Sequence, residues 1–491
     1  MVWPRPRSAR LEVIDLPGHA PIEALLAALD AQPHPAVLDS AAGGRPWGRH
    51  TVLACRPVAR VRLADGRLTG PAGAVLADDA DGLWAALSRL SRGVALAGPA
   101  PRAGYAPGWI GYLGYELGRW VERLPGRAVR DTPLPDLHLA FYDAILLGDA
   151  LTGGWQLRRL VFDDPPAGAG LAAEALGELY RRAAAAGPPG GSSTAAEAPC
   201  SGIHSPASAV SASRAESNFT PAAYRQAVAR AVEYIAAGDI FQVNLSQRLT
   251  VGEAPPPLAT YLALRRRNPA AYAGYLPIDT PAGRCTLVSS SPELFLRVAG
   301  REVLTRPIKG TRPRGRDEGH DAHLAGQLLA SAKDNAELAM IIDLLRNDLG
   351  RVCEYGSVRV TEPRCLETHP TVHHLVGTVT GRLREGLGVF DLLRASFPGG
   401  SITGAPKIRA MEIIDEIEPV ARGPYTGCLG LADVAGRSEW NILIRTIVHD
   451  RGRALVQAGG GIVADSDPAA EHQETLDKAR ALLEAIAAAR R

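Results

Sequence analysis

The chain has 491 residues, 46% of them hydrophobic and 22% charged, the composition of an ordinary globular protein with material for about two to four domains. Its formal charge of +2, from 54 basic and 52 acidic residues, leaves no electrostatic case for a nucleic acid or another polyanion as partner. The 6 cysteines form no CxxC pair and no regular spacing, which argues against a zinc ribbon or a secreted disulfide scaffold and fits a reducing cytosol.

The first residues, Met1-Val2-Trp3-Pro4-Arg5, contain no signal-peptide apolar core, and no uncharged apolar run is long enough to span a bilayer. The expectation is a cytoplasmic protein without a membrane partner. Short β-type runs then alternate with turns at Ala36 to Leu38, Thr51 to Leu53 and Ala144 to Leu147, with a helix expected around Leu83 to Leu90. Gly108, Gly111 and Gly114 have the wrong spacing for a dinucleotide fingerprint and are read as packing glycines. From about Pro165 to Ser217 Ala, Gly, Ser and Pro dominate. The second half of this stretch, residues 182–218, has too little apolar surface to offset its ordering entropy and is expected to be a mobile linker.

After this seam, Phe219-Thr220-Pro221 reads as a helix start, with Thr220 as N-cap, Pro221 at the first helical position and Phe219 stapled onto Tyr224. Gly238 ends that helix. The pattern then switches to period two: Phe241, Val243 and Leu245 alternate with Gln242, Asn244, Ser246 and Arg248, so one face is core and the other can line a cleft. Further strands are expected at Thr286 to Ser289, Leu294 to Val298 and Glu302 to Thr305, giving a mixed α+β fold without internal repeats.

Three constellations can carry chemistry. Lys309, on a short strand between Pro307 and Gly310, is either a surface residue or a cleft lysine whose lone pair burial frees. A helix opens at Ser331, with Asp334 at capping-box spacing and a buried stripe of Leu338, Ile341, Ile342 and Leu345. Glu337, at the edge of that stripe, either faces a cleft or complements the helix dipole. Gly459-Gly460-Gly461 ends a strand, and Asp467 caps a helix with Glu471, Glu474 and Lys478 on one face, either solvated or lining a site. Glutamates from two helices suit Mg²⁺, which takes hard oxygens and keeps substrate and water, whereas no His or Cys cluster suggests zinc. The run Arg312, Arg314 and Arg316 reads as a solvated loop, Gly399 to Lys407 is not a P-loop, and Gly427-Cys428-Leu429-Gly430 is structural because no His-x-Glu follows it.

Taken together, these segments resemble the chorismate-utilising enzymes: the large subunits of anthranilate and aminodeoxychorismate synthases, and the isochorismate and salicylate synthases. The matching stretches lie between about Phe219 and Ala485. They are Phe241 to Ser246, Ser291-Pro292-Glu293, Pro307 to Gly315, Asp343 to Asp348, Phe397 to Lys407 and Ala458 to Val463. The resemblance implies an α+β, anthranilate-synthase-like fold of two large β-sheets packed face to face with helices outside. It implies an amino-terminal region like that of anthranilate synthase component I over 1–165, a linker or loop over 166–217, and a chorismate-binding catalytic domain over 218–491.

By the same resemblance, Glu337 and Glu474 would bind Mg²⁺ and Arg445 and Tyr425 would hold the enolpyruvyl carboxylate. Gln242, Gly310, Thr311, His374, Thr403, Gly459, Gly460, Gly461 and Lys478 would complete the pocket. Members that add water carry a lysine base where this chain has Gln242, so glutamine points to an aminating branch. Anthranilate synthases typically have alanine where Lys309 stands, and lysine there marks aminodeoxychorismate synthase. In that branch Lys309 would form a covalent adduct with chorismate, Glu293 would act as general acid, and ammonia would come from a glutamine amidotransferase subunit or from solution. Anthranilate synthase, or a non-catalytic subunit binding an aromatic ligand, are the alternatives. The family's amino-terminal tryptophan motif, Leu-Leu-Glu-Ser, corresponds here to Val37-Leu38-Asp39-Ser40, which implies tryptophan binding near Ser40 without predicting feedback inhibition.

Overall fold

Period-two patterning in the sequence is realised as strands, and the strands assemble into two sheets. The computed structural model describes residues 6–41, 47–186, 215–369 and 372–490. The three amino-terminal runs become Ala36–Asp39, His50–Ala54 and Ala144–Asp149, and the expected helix becomes Ala80–Ser91. Asp79 caps that helix by accepting the Gly82 N–H.

Among the described residues the first sheet has 13 strands. It runs from Ala215–Ser217 through Gln242–Val251, Arg453–Ile462, Thr446–Asp450, Gly283–Ser291 and Tyr272–Thr280. It then crosses to Ala36–Asp39, His50–Ala54, Ala144–Asp149, Trp155–Phe162, Arg7–Leu16 and Val94–Ala97. The second sheet has 12 strands and repeats this plan. Its Ile308–Pro313, Val372–Arg382, Glu302–Arg306, Leu294–Ala299, Arg437–Asn441 and Cys428–Asp433 continue into Gly108–Leu113, Leu137–Tyr142 and Ala59–Ala64. The portions before and after the seam therefore share both sheets, joined where Ala273 pairs with Asp39 and Gly430 with Gly111.

Apolar residues place the layers. Ile110, Tyr112, Tyr142 and Leu429 of the second sheet pack with Val52, Ile145, Leu276 and Leu287 of the first, forming the core between the sheets. The outer face of the first sheet packs on the helices Ile22–Asp30, Leu171–Ala185, Pro257–Arg267 and Pro468–Ala488. The outer face of the second packs on Ala80–Ser91, Ala332–Gly350 and Val389–Ser396. This is the expected pair of sheets with helices outside. Among the described residues no helix is long and apolar enough to cross a membrane.

Local signals around the caps behave as read. Thr220 accepts the Ala223 N–H at 3.1 Å, and the Phe219 and Tyr224 rings meet edge-on at 5.6 Å. The helix Pro221–Ala236 stops before Gly238, whose φ of +81° terminates it at no steric cost. Asp467 likewise accepts the Ala470 N–H at 2.8 Å.

Three details differ from the sequence reading. The span 166–217 is not linker throughout, because Leu171–Ala185 is a helix whose Leu176, Leu179 and Tyr180 are buried against the sheet. Its alanines are good helix formers, and those three large residues supply one apolar face. The expected mobile stretch falls largely on 187–214, outside the described residues. The capping box at Ser331 is only half made: Ser331 accepts the Asp334 N–H, but the Asp334 carboxylate turns to Arg312 at 3.1 Å. An arginine already aimed at that carboxylate is a stronger partner than a neutral backbone N–H. Finally, the polar face of Gln242–Val251 is as buried as its apolar face, because the segments flanking the helix Lys407–Ile417, with Thr403 before it and Glu418 and Arg422 after it, bond to this strand.

The strand glycine Gly111 shows what the close pairing requires. A Cβ there would lie 1.9 Å from the His138 carbonyl oxygen. Gly111→Ala is expected to cost about 3 kcal/mol through forced backbone displacement, read as a lower urea midpoint with an unchanged m-value.

Candidate active site

The strand Ile308–Pro313 lies at the end of the second sheet, paired with Val372–Arg382. It carries Lys309 inward, leaving 11% of the side chain exposed, with Nζ donating to the Ser401 carbonyl at 3.1 Å. Gly310 follows at φ +77°, where a Cβ would come within 2.7 Å of Leu328, so glycine sets the turn of this strand. Thr311 then bonds His374 Nδ1 at 2.9 Å.

Glu293 ends the Ser291-Pro292-Glu293 turn between two strands of different sheets and accepts the Ser401 hydroxyl at 2.7 Å. Burial pushes its carboxyl up to about 7, against the smaller pull of Ser401, Lys309 and the Ile308 N–H. Burial also lowers the Lys309 amine below its usual value, opposed by Glu337 and Glu293. Burial thus disfavours the charged form of both groups.

The helix Ala332–Gly350 brings Glu337 Oε2 to 4.0 Å from Lys309 Nζ. Glu337 is held by no hydrogen bond among the described residues, and burial raises its carboxyl despite Lys309 and Lys333. The helix Pro468–Ala488 supplies Glu474, paired with Lys478 at 2.6 Å, while Lys478 also donates to the Gly459 carbonyl at 2.8 Å. Burial works to raise Glu474, but Lys478, Lys333 and Lys309 together lower it. The Lys309 amine feels both Lys478 and Glu474, so the constellations read separately from the sequence converge. Glu471 is buried and accepts the Ser466 hydroxyl at 2.6 Å, so this helix face is not simply solvated.

Arg445 adopts φ +52°, a left-handed backbone that costs a non-glycine residue of order 1–3 kcal/mol. It persists because the Arg445 carbonyl accepts Ser290 N–H at 3.0 Å and the guanidinium donates to the Lys478 carbonyl. Burial lowers its pKa, opposed by Tyr425 and Glu474. Burial raises the Tyr425 hydroxyl to about 12 and lowers His374 to about 3, with His369 and Arg445 acting the same way on the imidazole. Thr403 is fully buried, with its hydroxyl spent on the Gly399 carbonyl. Gly461 and Gly460 make room: a Cβ would meet Gln242 Nε2 at 2.0 Å at the first and Glu471 at 3.0 Å at the second. Ser40 lies apart, donating to the His50 carbonyl at 2.7 Å in the wall of a separate cavity with Tyr105, Tyr272 and Glu439.

Two carboxylates from separate helices, one without any hydrogen-bond donor, fit a hard cation that keeps oxygen ligands from substrate and water. Among the described residues no three of His, Cys, Asp and Glu cluster closely enough to hold a metal by themselves.

Sequence reasoning missed Ser401, which touches both Lys309 and Glu293, and the buried pair Arg422–Glu418 at 2.7 Å. Ser401 lay inside a recognised motif. The only local hint of the pair was its i, i+4 spacing, which also suits a solvated helix pair.

Comparisons with known proteins place the chain in a family. The family model for chorismate binding enzymes matches residues 43–484, and the chain belongs to that family. It is therefore an enzyme acting on chorismate. Anthranilate synthase component 1 of Pseudomonas aeruginosa is 40% identical over 481 residues, covering 96% of this chain and 93% of that one. Aminodeoxychorismate synthase component 1 of Klebsiella aerogenes is 38% identical over 457 residues, covering 93% and 94%. The crystal structure of anthranilate synthase component I from Streptococcus pneumoniae TIGR4 superposes with a TM-score of 0.71 at 31% identity, covering 90% of this chain and 93% of that chain.

Arg422→Leu leaves the Glu418 carboxylate buried without its cation. It is expected to cost about 3–5 kcal/mol, measured by urea denaturation at neutral pH.

Proposed function

We propose that the protein is the aminating subunit of an aminodeoxychorismate synthase, converting chorismate and ammonia to 4-amino-4-deoxychorismate through a covalent adduct at Lys309. The observation that carries this reading is the buried Lys309 amine, its charge disfavoured, joined through Ser401 to a Glu293 carboxyl that burial raises to about 7. A nucleophile and a general acid are what an allylic displacement of hydroxide requires.

Glu293 gives its proton to the C4 hydroxyl, so water leaves in place of hydroxide. Neutral Lys309 attacks C2, the two ring double bonds each shift by one position, and the C4–O bond breaks. Ammonia then attacks C4, the double bonds return, and the C2–N bond breaks with its electron pair going back to Lys309. The surplus proton on the new amine passes to the Glu293 carboxylate, which restores the acid. The enolpyruvyl group stays attached throughout.

Around this chemistry, Arg445 and Tyr425 would hold the enolpyruvyl carboxylate, since a guanidinium fork suits a planar carboxylate. Mg²⁺ held by Glu337 and Glu474 would neutralise and position the ring carboxylate. Gln242 cannot take a proton, so water entering at that position is not activated, whereas ammonia already carries its lone pair. The name "component 1" of the relatives speaks for a second component. We propose a glutamine amidotransferase subunit as the ammonia source, in the cytoplasm, with the product leading to 4-aminobenzoate and folate.

Anthranilate synthase is the second reading, favoured by the names of the Pseudomonas and Streptococcus relatives. The product separates the two. Incubation with chorismate, Mg²⁺ and ammonia should yield aminodeoxychorismate, which an added lyase converts to 4-aminobenzoate. Direct release of anthranilate would overturn the first reading.

Glu293→Gln should slow adduct formation by about 10²–10⁴-fold. In the unaltered protein the general acid is present below its pKa and lost above it, so the rate should fall as pH rises through about 7. Stopped-flow measurement should find that falling limb absent in Glu293→Gln. Lys309→Ala should form no chorismate adduct by intact-protein mass spectrometry, and EDTA should stop turnover until Mg²⁺ is restored.

A further inference from the structure

Lys407 stands just after the loop that carries Ser401, and its amine reaches back to the residue just before that loop. Lys407 Nζ donates to Asp348 Oδ2 at 2.7 Å and to the Ser396 carbonyl at 3.0 Å. The ion pair is largely out of water, at 13% and 3% side-chain exposure. Ser396 ends the helix Val389–Ser396, Asp348 lies near the end of Ala332–Gly350, and Lys407 opens Lys407–Ile417. One amine therefore joins three helices and closes the loop between Ser396 and Lys407 at both ends.

Two further contacts press this loop onto the same helix. Arg351, just past the helix, donates to the Ala395 carbonyl at 3.2 Å, and a Cβ on Gly400 would run into the Leu344 side chain. On its other side the loop is tied by Arg422 to the Ile402 carbonyl at 3.1 Å and by Asn244 N–H to the Thr403 carbonyl at 2.8 Å. Between these ties, in the short turn Gly400–Ile402, sits Ser401. Its hydroxyl donates to Glu293 at 2.7 Å, and its carbonyl accepts Lys309 Nζ at 3.1 Å.

The helix to which Lys407 clamps the loop is the one that brings Glu337 to 4.0 Å from the same Nζ. Asp348 stands about 16 Å from Glu337 along the helix axis, too far to bond it, so any effect on the site passes through position. A largely buried ion pair is a costly way to join helices that apolar residues could join. Its directed bonds, however, fix one register of the loop on the helix, which apolar contact does not. We infer that Lys407 and Asp348 are positioning residues for the reaction. They clamp the loop to the Glu337 helix so that Ser401 meets Glu293 and Lys309 in a single geometry.

The inference rests on the reading that Lys309 and Glu293 carry the chemistry, and the readout is consumption of chorismate with Mg²⁺ and ammonia, whichever product forms. Asp348→Leu combined with Lys407→Met removes both charges at similar volume, an exchange that buried ion pairs often tolerate without loss of stability. Circular dichroism checks the fold. The kcat of this pair should fall on the order of 10²-fold, with the KM for chorismate little changed, whereas Lys407→Arg should retain most of kcat. Ser401→Ala should slow turnover by itself, and adding it to the pair should bring little further loss, because both act through one contact. A folded pair with the wild-type kcat, or losses that multiply with that of Ser401→Ala, would overturn the positioning role. Should the pair not fold, Asp348→Asn, which keeps shape and a hydrogen bond, goes through the same cycle, and independence from Ser401→Ala would overturn it equally. Chorismate consumption that survives Lys309→Ala would instead sink the functional reading.

Discussion

Arg422 and Glu418 form an ion pair buried on every side, at 1% and 2% side-chain exposure, and the candidate site is assembled around it. The guanidinium also donates to the Asn244 and Ile402 carbonyls and to Thr426, while Glu418 takes both the N–H and the hydroxyl of Ser246. The Arg422 N–H is accepted by Glu116, and the guanidinium lies 4.7 Å over the Tyr115 ring. Taking two charges out of water is expensive, and it is repaid only when nearly every donor and acceptor is matched. Here that requirement locks the Gln242 strand, the loop through Ser401 and the turn bearing Tyr425 into one frame. Ser401 is the residue through which that frame meets Lys309 and Glu293.

Desolvation then works differently a few residues away. The Arg422 guanidinium and the Glu418 carboxylate answer each other directly at 2.7 Å. Glu293 is bonded to a hydroxyl and Lys309 to a carbonyl, neither of which compensates a full charge. Burial therefore shifts both towards neutrality. The same burial thus accompanies a matched salt bridge in one place and, in the other, a carboxyl and an amine whose charged forms are both disfavoured.

The amino-terminal portion belongs to this frame. Glu116 and Tyr115 come from the segment following Gly108–Leu113, a strand paired directly with Cys428–Asp433, and the Tyr425 turn lies just before that partner. Both sheets run across the seam, so the strands that carry the candidate cluster are braced by strands from residues before it. Ser40 sits on this shared structure, in the cavity beside Glu439 and Asn441 and away from the Lys309 cluster.

What the sequence determined by itself is local. Thr220, Ser331 and Asp467 cap their helices, Phe219 staples onto Tyr224, Gly238 ends a helix, and alternation marks the strands, because each depends on hydrogen bonds and rotamers within a few residues. The motifs also identified the residues that meet at the site, though only by resemblance. Tertiary structure alone decided that Glu337 and Glu474, far apart in the chain, act on the same amine, that burial raises the Glu293 carboxyl, and that among the described residues the Gln242 and Asn244 amide oxygens stay unpaired. It also decided that Leu171–Ala185 is a packed helix and that Asp334 turns to Arg312. Desolvation and Coulomb energies depend on distance through space, and a linear order of residues does not contain those distances.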